Sequence, residues 1–240
     1  MIKFDMHVHC SGASICADVT IEQLIDRYLS CGYKGVVLTN HINPKSYNAY
    51  EDLNHKQKTD YFFKVADKAV SLGREKGIKV LIGAEIRANT LDNTFQEYTI
   101  IGFERALLYD NKPLFELDQK QIFKLCEKNH LFMLQTHPFR EGVTCGNPDY
   151  LHGAEAFNGH FHHDNNNQQA LEFCQKYNLK MFSGTDFHHN VQPIIGGVYL
   201  PDFINNEVQL AEYLLNNQPR IIVDQSAYQL ARQQYLSTKE

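Results

Sequence analysis

Lys3-Phe4-Asp5-Met6-His7-Val8-His9 alternates between polar and apolar side chains near the start of the chain. The period of two predicts a short strand with Asp5, His7 and His9 on one face and Met6 and Val8 on the other. Two imidazoles that point the same way beside a carboxylate begin a divalent-metal site, because imidazole suits Zn, Fe, Ni and Cu and carboxylate suits Mn and Mg as well. A single His-x-His is also what surface histidines look like, so its meaning depends on what the other strands carry.

The pattern repeats downstream. Thr20-Ile21-Glu22-Gln23 reads as a capping box, and Ile21, Leu24, Ile25, Tyr28 and Leu29 share a helical face that Gly32 ends. Gly35-Val36-Val37-Leu38-Thr39 suits a buried strand and ends at Asn40-His41. A polar loop over 43–58 leads to a helix over 59–75, after which Lys79-Val80-Leu81-Ile82-Gly83-Ala84 ends at Glu85. The strand over 98–103 ends at Glu104; Asp118 caps a helix through 128, and Leu131-Phe132-Met133-Leu134-Gln135-Thr136 ends at His137. Gly153-Ala154-Glu155-Ala156-Phe157 ends at Asn158, and a helix over 167–177 precedes a strand over 179–184 that runs into Thr185-Asp186-Phe187-His188. Strands at 197–200 and 220–223, a helix at 207–216 and a helix-prone tail over 225–240 complete the chain.

Strands alternating with helices at this spacing predict parallel βα units, and their number in 240 residues fits a barrel better than an open sheet. With no linker or low-complexity stretch, the expected organisation is a single domain over 1–240. The decisive regularity is that successive strands end on His7/His9, His41, Glu85, Glu104, His137, Asn158 and Asp186/His188. In a parallel barrel those ends surround one mouth, where catalytic groups gather.

Composition agrees with an α/β domain that has a substantial core, at 43% apolar and 21% charged residues. The net charge of −5 supplies no global positive field for nucleic acid. The six cysteines, Cys10, Cys16, Cys31, Cys126, Cys145 and Cys174, form no Cys-x-x-Cys pair, and no secretory apolar segment precedes them. They read as thiols of a reducing compartment, so a cytoplasmic protein is expected. No apolar run approaches the roughly 20 residues of a membrane span. Twelve histidines are the compositional oddity, and metal ligation is the commonest chemical reason for such an excess.

In this order, His7-x-His9, His41, Glu85, His137-Pro138 and Gly184-Thr185-Asp186-Phe187-His188 resemble the PHP family, named for polymerase and histidinol phosphatase domains, over residues 3 to about 200. The resemblance implies a distorted (β/α)7 TIM-like barrel with two or three divalent metal ions, commonly Zn, Mn or Fe, that cleaves phosphate esters. Carried over by residue, it implies that His7, His9, Glu85 and Asp186 hold one metal, that Glu85 bridges to a second completed by Glu104 and His137, and that His41 and His188 hold a third. Glu104 stands where members often have His; Glu97 is its rival but falls at the amino end of its strand, which in a parallel barrel is the wrong end. The third site usually takes a further ligand from the loop after His-x-His, where only Cys16 or Asp18 is available. Glu85, Asp186 and His188 are the expected catalytic groups. Arg140, three residues after His137, is the first candidate to grip phosphate, with Arg87 and Asn158 as further substrate contacts and Lys45 weaker. His160, His162 and His163 in a polar loop, and His189, read as solvated rather than as primary ligands.

The activity so implied is hydrolysis of a small phosphomonoester, as by a histidinol phosphatase, through a metal-bridged hydroxide between ions about 3.5–4 Å apart. A nuclease acting on oligonucleotide ends is the alternative, requiring a basic, aromatic-lined groove. A non-catalytic metal-binding scaffold is the second alternative. The amidohydrolase barrels share the His-x-His opening, but Glu85 and the Asp186-Phe187-His188 ending favour the PHP pattern.

Overall fold

A computed structural model describes residues 1–50, 52–90 and 94–239. The strands are β1 (Ile2–Val8), β2 (Gly35–Leu38), β3 (His41–Ile42), β4 (Lys79–Ala88), β5 (Gln96–Ile101), β6 (Phe132–Gln135), β7 (Gly153–Asn158), β8 (Lys180–Gly184), β9 (Gly196–Leu200) and β10 (Arg220–Val223). The helices are α1 (Ile21–Ser30), α2 (Pro44–Asn48), α3 (His55–Lys76), α4 (Arg105–Asp110), α5 (Gln119–Lys128), α6 (Asn167–Lys176), α7 (Glu207–Asn216) and α8 (Gln225–Ser237). Residue 240, the last of the expected helical tail, lies outside the described residues.

Local chemistry sets the helix ends. Thr20 and Gln23 close a reciprocal capping box on α1, and Asp118 with Gln121 does the same for α5. α3 begins four residues before the expected start because Asn54 and Gln57 form a third box, and it stops at Gly77, whose φ of 77° only glycine adopts without strain.

The sheet runs β10-β9-β1-β2-β4-β5-β6-β7-β8, with β3 beside β4. Beyond β8, Phe187 forms a parallel bridge with Val8, so the two arms nearly close into a barrel. β1, β2 and β4 are parallel, as are β6, β7 and β8. β5 is not a parallel βα unit: it runs antiparallel to both β4 and β6. The connection over 89–95 is shorter than the dozen or so residues a crossover requires, so the chain turns back as a hairpin. The amino end of β5, not its carboxyl end, therefore joins the carboxyl ends of its parallel neighbours at the mouth.

The alternation of β1 is also broken. Its pairing register with β2 shifts between Asp5 and Val8. Phe4 and Met6 pack with Val37, Leu81 and Phe132, whereas Val8 packs with Ile25 and Tyr28 of α1. Asp5 thus parts from His7 and His9: its carboxylate accepts from the Tyr28 hydroxyl at 2.7 Å and the Thr185 hydroxyl at 2.6 Å. Burial raises the Asp5 carboxyl to about 6, against the lowering by its Thr185 and Tyr28 donors.

Candidate metal centre

Three histidines are fixed in one tautomer by what their Nδ1 atoms touch. His7 Nδ1–H donates to Glu155 Oε1 at 2.8 Å. Ser14 gives its own proton to Asn40 Oδ1, so its hydroxyl oxygen accepts from His9 Nδ1–H at 3.2 Å and from the His41 N–H at 3.1 Å. His188 Nδ1–H donates to the Asp186 carbonyl at 2.9 Å. In each ring Nε2 is left to point away from that partner, which is how partner groups orient metal-ligating histidines.

Two of these nitrogens, His7 Nε2 and His9 Nε2, converge with His137 Nε2 and His41 Nδ1 on two carboxylates. Glu85 Oε1 lies 3.3 Å from His7 Nε2 and 3.1 Å from His137 Nε2; Oε2 lies 3.4 Å from His9 Nε2 and 2.9 Å from His41 Nδ1. Asp186 Oδ1 is 3.4 Å from both His7 Nε2 and His9 Nε2. Yet His7 Nε2, His9 Nε2, His41 Nδ1 and Glu85 Oε2 are buried and make no hydrogen bond. Buried ring nitrogens and carboxylate oxygens that face one another this closely without a hydrogen bond between them are the arrangement of ligands around a shared cation. The backbone is strained to reach it: His137 and Asp186 have φ of 31° and 51°.

The field is strongly negative. Burial would depress His7, but Asp186, Glu155 and Glu85 hold it well above its ordinary value. Burial is likewise outweighed at His41, chiefly by Glu85, and at His188, chiefly by Asp186, which raises it to about 9. His9 is pushed well down by burial and by its neighbours His188 and His41. Glu85 and Asp186, despite burial, stay well below the usual carboxylate range, Glu85 through His7 and His41, Asp186 through His7, Arg140 and His188. Protons occupy sites that a cation would take, so metal uptake releases protons and strengthens as pH rises.

Glu104 does not join this centre. It is exposed at the N-cap of α4, at the far end of the reversed β5. The buried Glu97 takes its place at the mouth, with Oε2 3.6 Å from His137 Nε2 and Oε1 held by Arg87 at 3.0 and 2.8 Å. Arg87 is committed to that carboxylate and stacks on Phe95. Arg140 reaches the centre directly: Nη2 donates to Asp186 Oδ2 at 2.5 Å and to Asn158 Oδ1 at 3.0 Å, and Nε to Asn165 at 2.8 Å. Cys16, at the exposed rim, lies beside His188 and His41, and hydrogen bonding to those imidazoles outweighs its partial desolvation and lowers the thiol to about 6; Asp18 pairs instead with His189. Lys45, on α2, is exposed.

Glu155 was not singled out from the sequence. Besides orienting His7, it accepts from the His137 N–H and from Asn158 Nδ2, both at 2.8 Å. Its signal was an acid in the middle of an otherwise apolar strand, where burial demands partners.

Two outcomes follow. Glu155→Gln, which keeps the shape but not the charge, weakens metal binding by about 10- to 100-fold in competition with a chromophoric chelator, without changing the circular dichroism. In metal-free protein, iodoacetamide labelling of Cys16, followed by peptide mapping, rises with pH around a midpoint near 6 as the thiolate forms, and added Zn suppresses it. A flat pH profile, or no protection, removes Cys16 from the site.

The PHP domain family model matches residues 5–179. Among curated proteins none matches the chain. Solved structures share the fold: PsfC from Pseudomonas syringae PB-5123 is 14% identical with a TM-score of 0.66, covering 99% of this chain and 98% of its own. A two-domain protein from Bacteroides vulgatus containing a predicted PHP-like metal-dependent phosphoesterase is 18% identical with a TM-score of 0.61, over 98% of this chain and 69% of that one. An amidohydrolase from Chromobacterium violaceum, with bound sulfate and no metal, is 12% identical with a TM-score of 0.58, over 92% and 97%. At these identities the likeness speaks for the barrel; the match over most of the sequence, together with the strand-end histidines and acids, places the chain in the PHP domain family.

Proposed function

We propose that this chain is a metal-dependent phosphoesterase that hydrolyses a small phosphomonoester. The observation that carries the reading is Glu85, whose two buried oxygens each face a different pair of imidazoles. A carboxylate so placed suits a bridge between two cations. His7, His9, Glu85 and Asp186 would hold one ion, Glu85, Glu97 and His137 a second, and His41, His188 and Cys16 a third. The donors differ in softness: two carboxylates with one imidazole lean toward Mn or Fe, while two imidazoles with a thiolate lean toward Zn. Bound there, divalent ions supply Lewis-acid charge and lower the pKa of a water toward neutrality.

The chain's own residues do the rest. Arg140 is held by Asp186, Asn158 and Asn165 through Nη2 and Nε, which leaves Nη1 to grip a phosphate oxygen. Asn158 orients both Arg140 and Glu155. Ser14, Glu155 and the Asp186 carbonyl keep the histidine lone pairs aimed inward. The net charge of −5 favours a small substrate over a polyanion. Among the described residues no helix is long and apolar enough to cross a membrane.

Metal analysis by mass spectrometry on untagged protein, with p-nitrophenyl phosphate turnover, tests the reading. Wild type is expected to carry two or three equivalents and to turn over, and Glu85→Ala to lose both. Less than one equivalent in metal-replete wild type, with no turnover under Mn, Zn or Fe, would leave a scaffold. Arg140→Ala should retain its metal and lose about 10- to 100-fold in kcat/KM, the value of a charged hydrogen bond of about 1.5–3 kcal/mol; unchanged kcat/KM removes Arg140 from substrate binding.

A further inference from the structure

A second group of imidazoles lies beside the mouth. His160 and His162 follow β7, His189 follows β8, and one ring nitrogen from each falls within 4.8 Å of the others. His160 is 4% exposed, and its buried Nδ1 has no hydrogen-bond partner. Three ring nitrogens gathered this closely, on rings one of which carries a buried nitrogen with no hydrogen-bond partner, call for a proton or a cation among them.

The rings are held in place. His189 Nδ1 lies 3.0 Å from Asp18 Oδ2, which leaves its Nε2 lone pair outward of that pair, the carboxylate–histidine relation seen behind metal ligands. His162 stacks on Tyr235 of α8 with centroids 4.2 Å apart and faces His189 at 5.3 Å. The loop carrying His160 and His162 is tied down by Asn165, whose Nδ2 donates to the Asn158 and His160 carbonyls, and by the Tyr228 hydroxyl of α8, which donates to the His163 carbonyl. Tyr228 and Tyr235 lie beyond the residues that the family model matches. The loop is therefore anchored at His160 and His162, while His163 and Asp164 stay exposed as the sequence suggests.

We propose that His160, His162 and His189 form a separate three-imidazole site for a divalent transition ion. A donor set without carboxylate selects Zn, Ni or Cu over Mg and Mn, and three protein ligands leave a fourth position open to solvent or to an exogenous anion. The site borders the Glu85 centre, because His160 also lies within 4.8 Å of Asp186 and His188 ligand atoms, but it uses none of the residues assigned there.

Zinc stoichiometry after chelation and reloading of untagged full-length protein tests this. His162→Ala/His189→Ala, at two half-buried positions, should bind one equivalent fewer than wild type while keeping its circular dichroism. Glu85→Gln should keep an equivalent that Glu85→Gln/His162→Ala/His189→Ala loses. Asp18→Ala should weaken that equivalent by about 10- to 100-fold. Equal stoichiometry in the double variant and wild type, or in Glu85→Gln and the triple variant, overturns the proposal. If the Glu85 centre itself holds nothing, wild type binds a single equivalent and the double variant none, which sinks the phosphoesterase reading and leaves this one standing.

Discussion

The Glu85 carboxylate, wholly buried between imidazoles of His7, His9, His41 and His137, is the constraint on which the rest of the structure depends. A buried ion costs on the order of several kcal/mol unless countercharge surrounds it. Asp186, Glu155 and Glu97 are buried close by, while the guanidinium partners are Arg140 and Arg87. Protons on His7, His41 and His188 make up the difference, which is why these imidazoles hold protons so tightly. A divalent cation relieves the same imbalance with fewer competing demands on the rings.

Backbone devices aim the side chains. The register shift in β1 turns Asp5 toward Tyr28 and frees His7 and His9 for the centre. Gly184 is required where β8 passes His7: a Cβ there would lie 2.5 Å from His7 Cβ and 2.8 Å from Glu155 Oε1. The left-handed conformations of His137 and Asp186 cost on the order of 1–3 kcal/mol each and persist because the hydrogen bonds of Glu155 and Arg140 over-determine them.

Much of this was legible in the sequence. His7, His9, His41, Glu85, His137, Asp186 and His188 each follow an apolar run, and a polar residue after a buried strand marks the mouth of a barrel. Glu104 and Glu97 were misjudged for one reason: residue identity does not give the direction of a strand. The sequence reading leaves 85–97 between the two strands, long enough for a crossover; only the longer strands of the structure shorten the connection to 89–95 and forbid one. Asp5 was misplaced because a register shift leaves no mark in an alternating pattern. Glu155 hid inside its strand, and the packing of His162 on Tyr235 and of His189 against Asp18 was unreadable because those partners are distant in sequence.

The segments that nearly close the barrel also carry the centre. The His9 N–H donates to the Phe187 carbonyl at 2.9 Å, and the Phe187 N–H to the His7 carbonyl at 3.4 Å. These two bonds stitch the end of β1 to the segment after β8, and the residues flanking them, His7, His9, Asp186 and His188, are the ones whose lone pairs meet. The loop after β1 is drawn in by the same segment, since the Asp18 and Val19 N–H groups donate to the His188 carbonyl at 3.1 and 3.3 Å. Cys16 and Asp18 are thereby carried to His188 and His189. A cation bound between the two arms would tighten the seam that the backbone begins, and anything that opens the seam would part these four side chains at once.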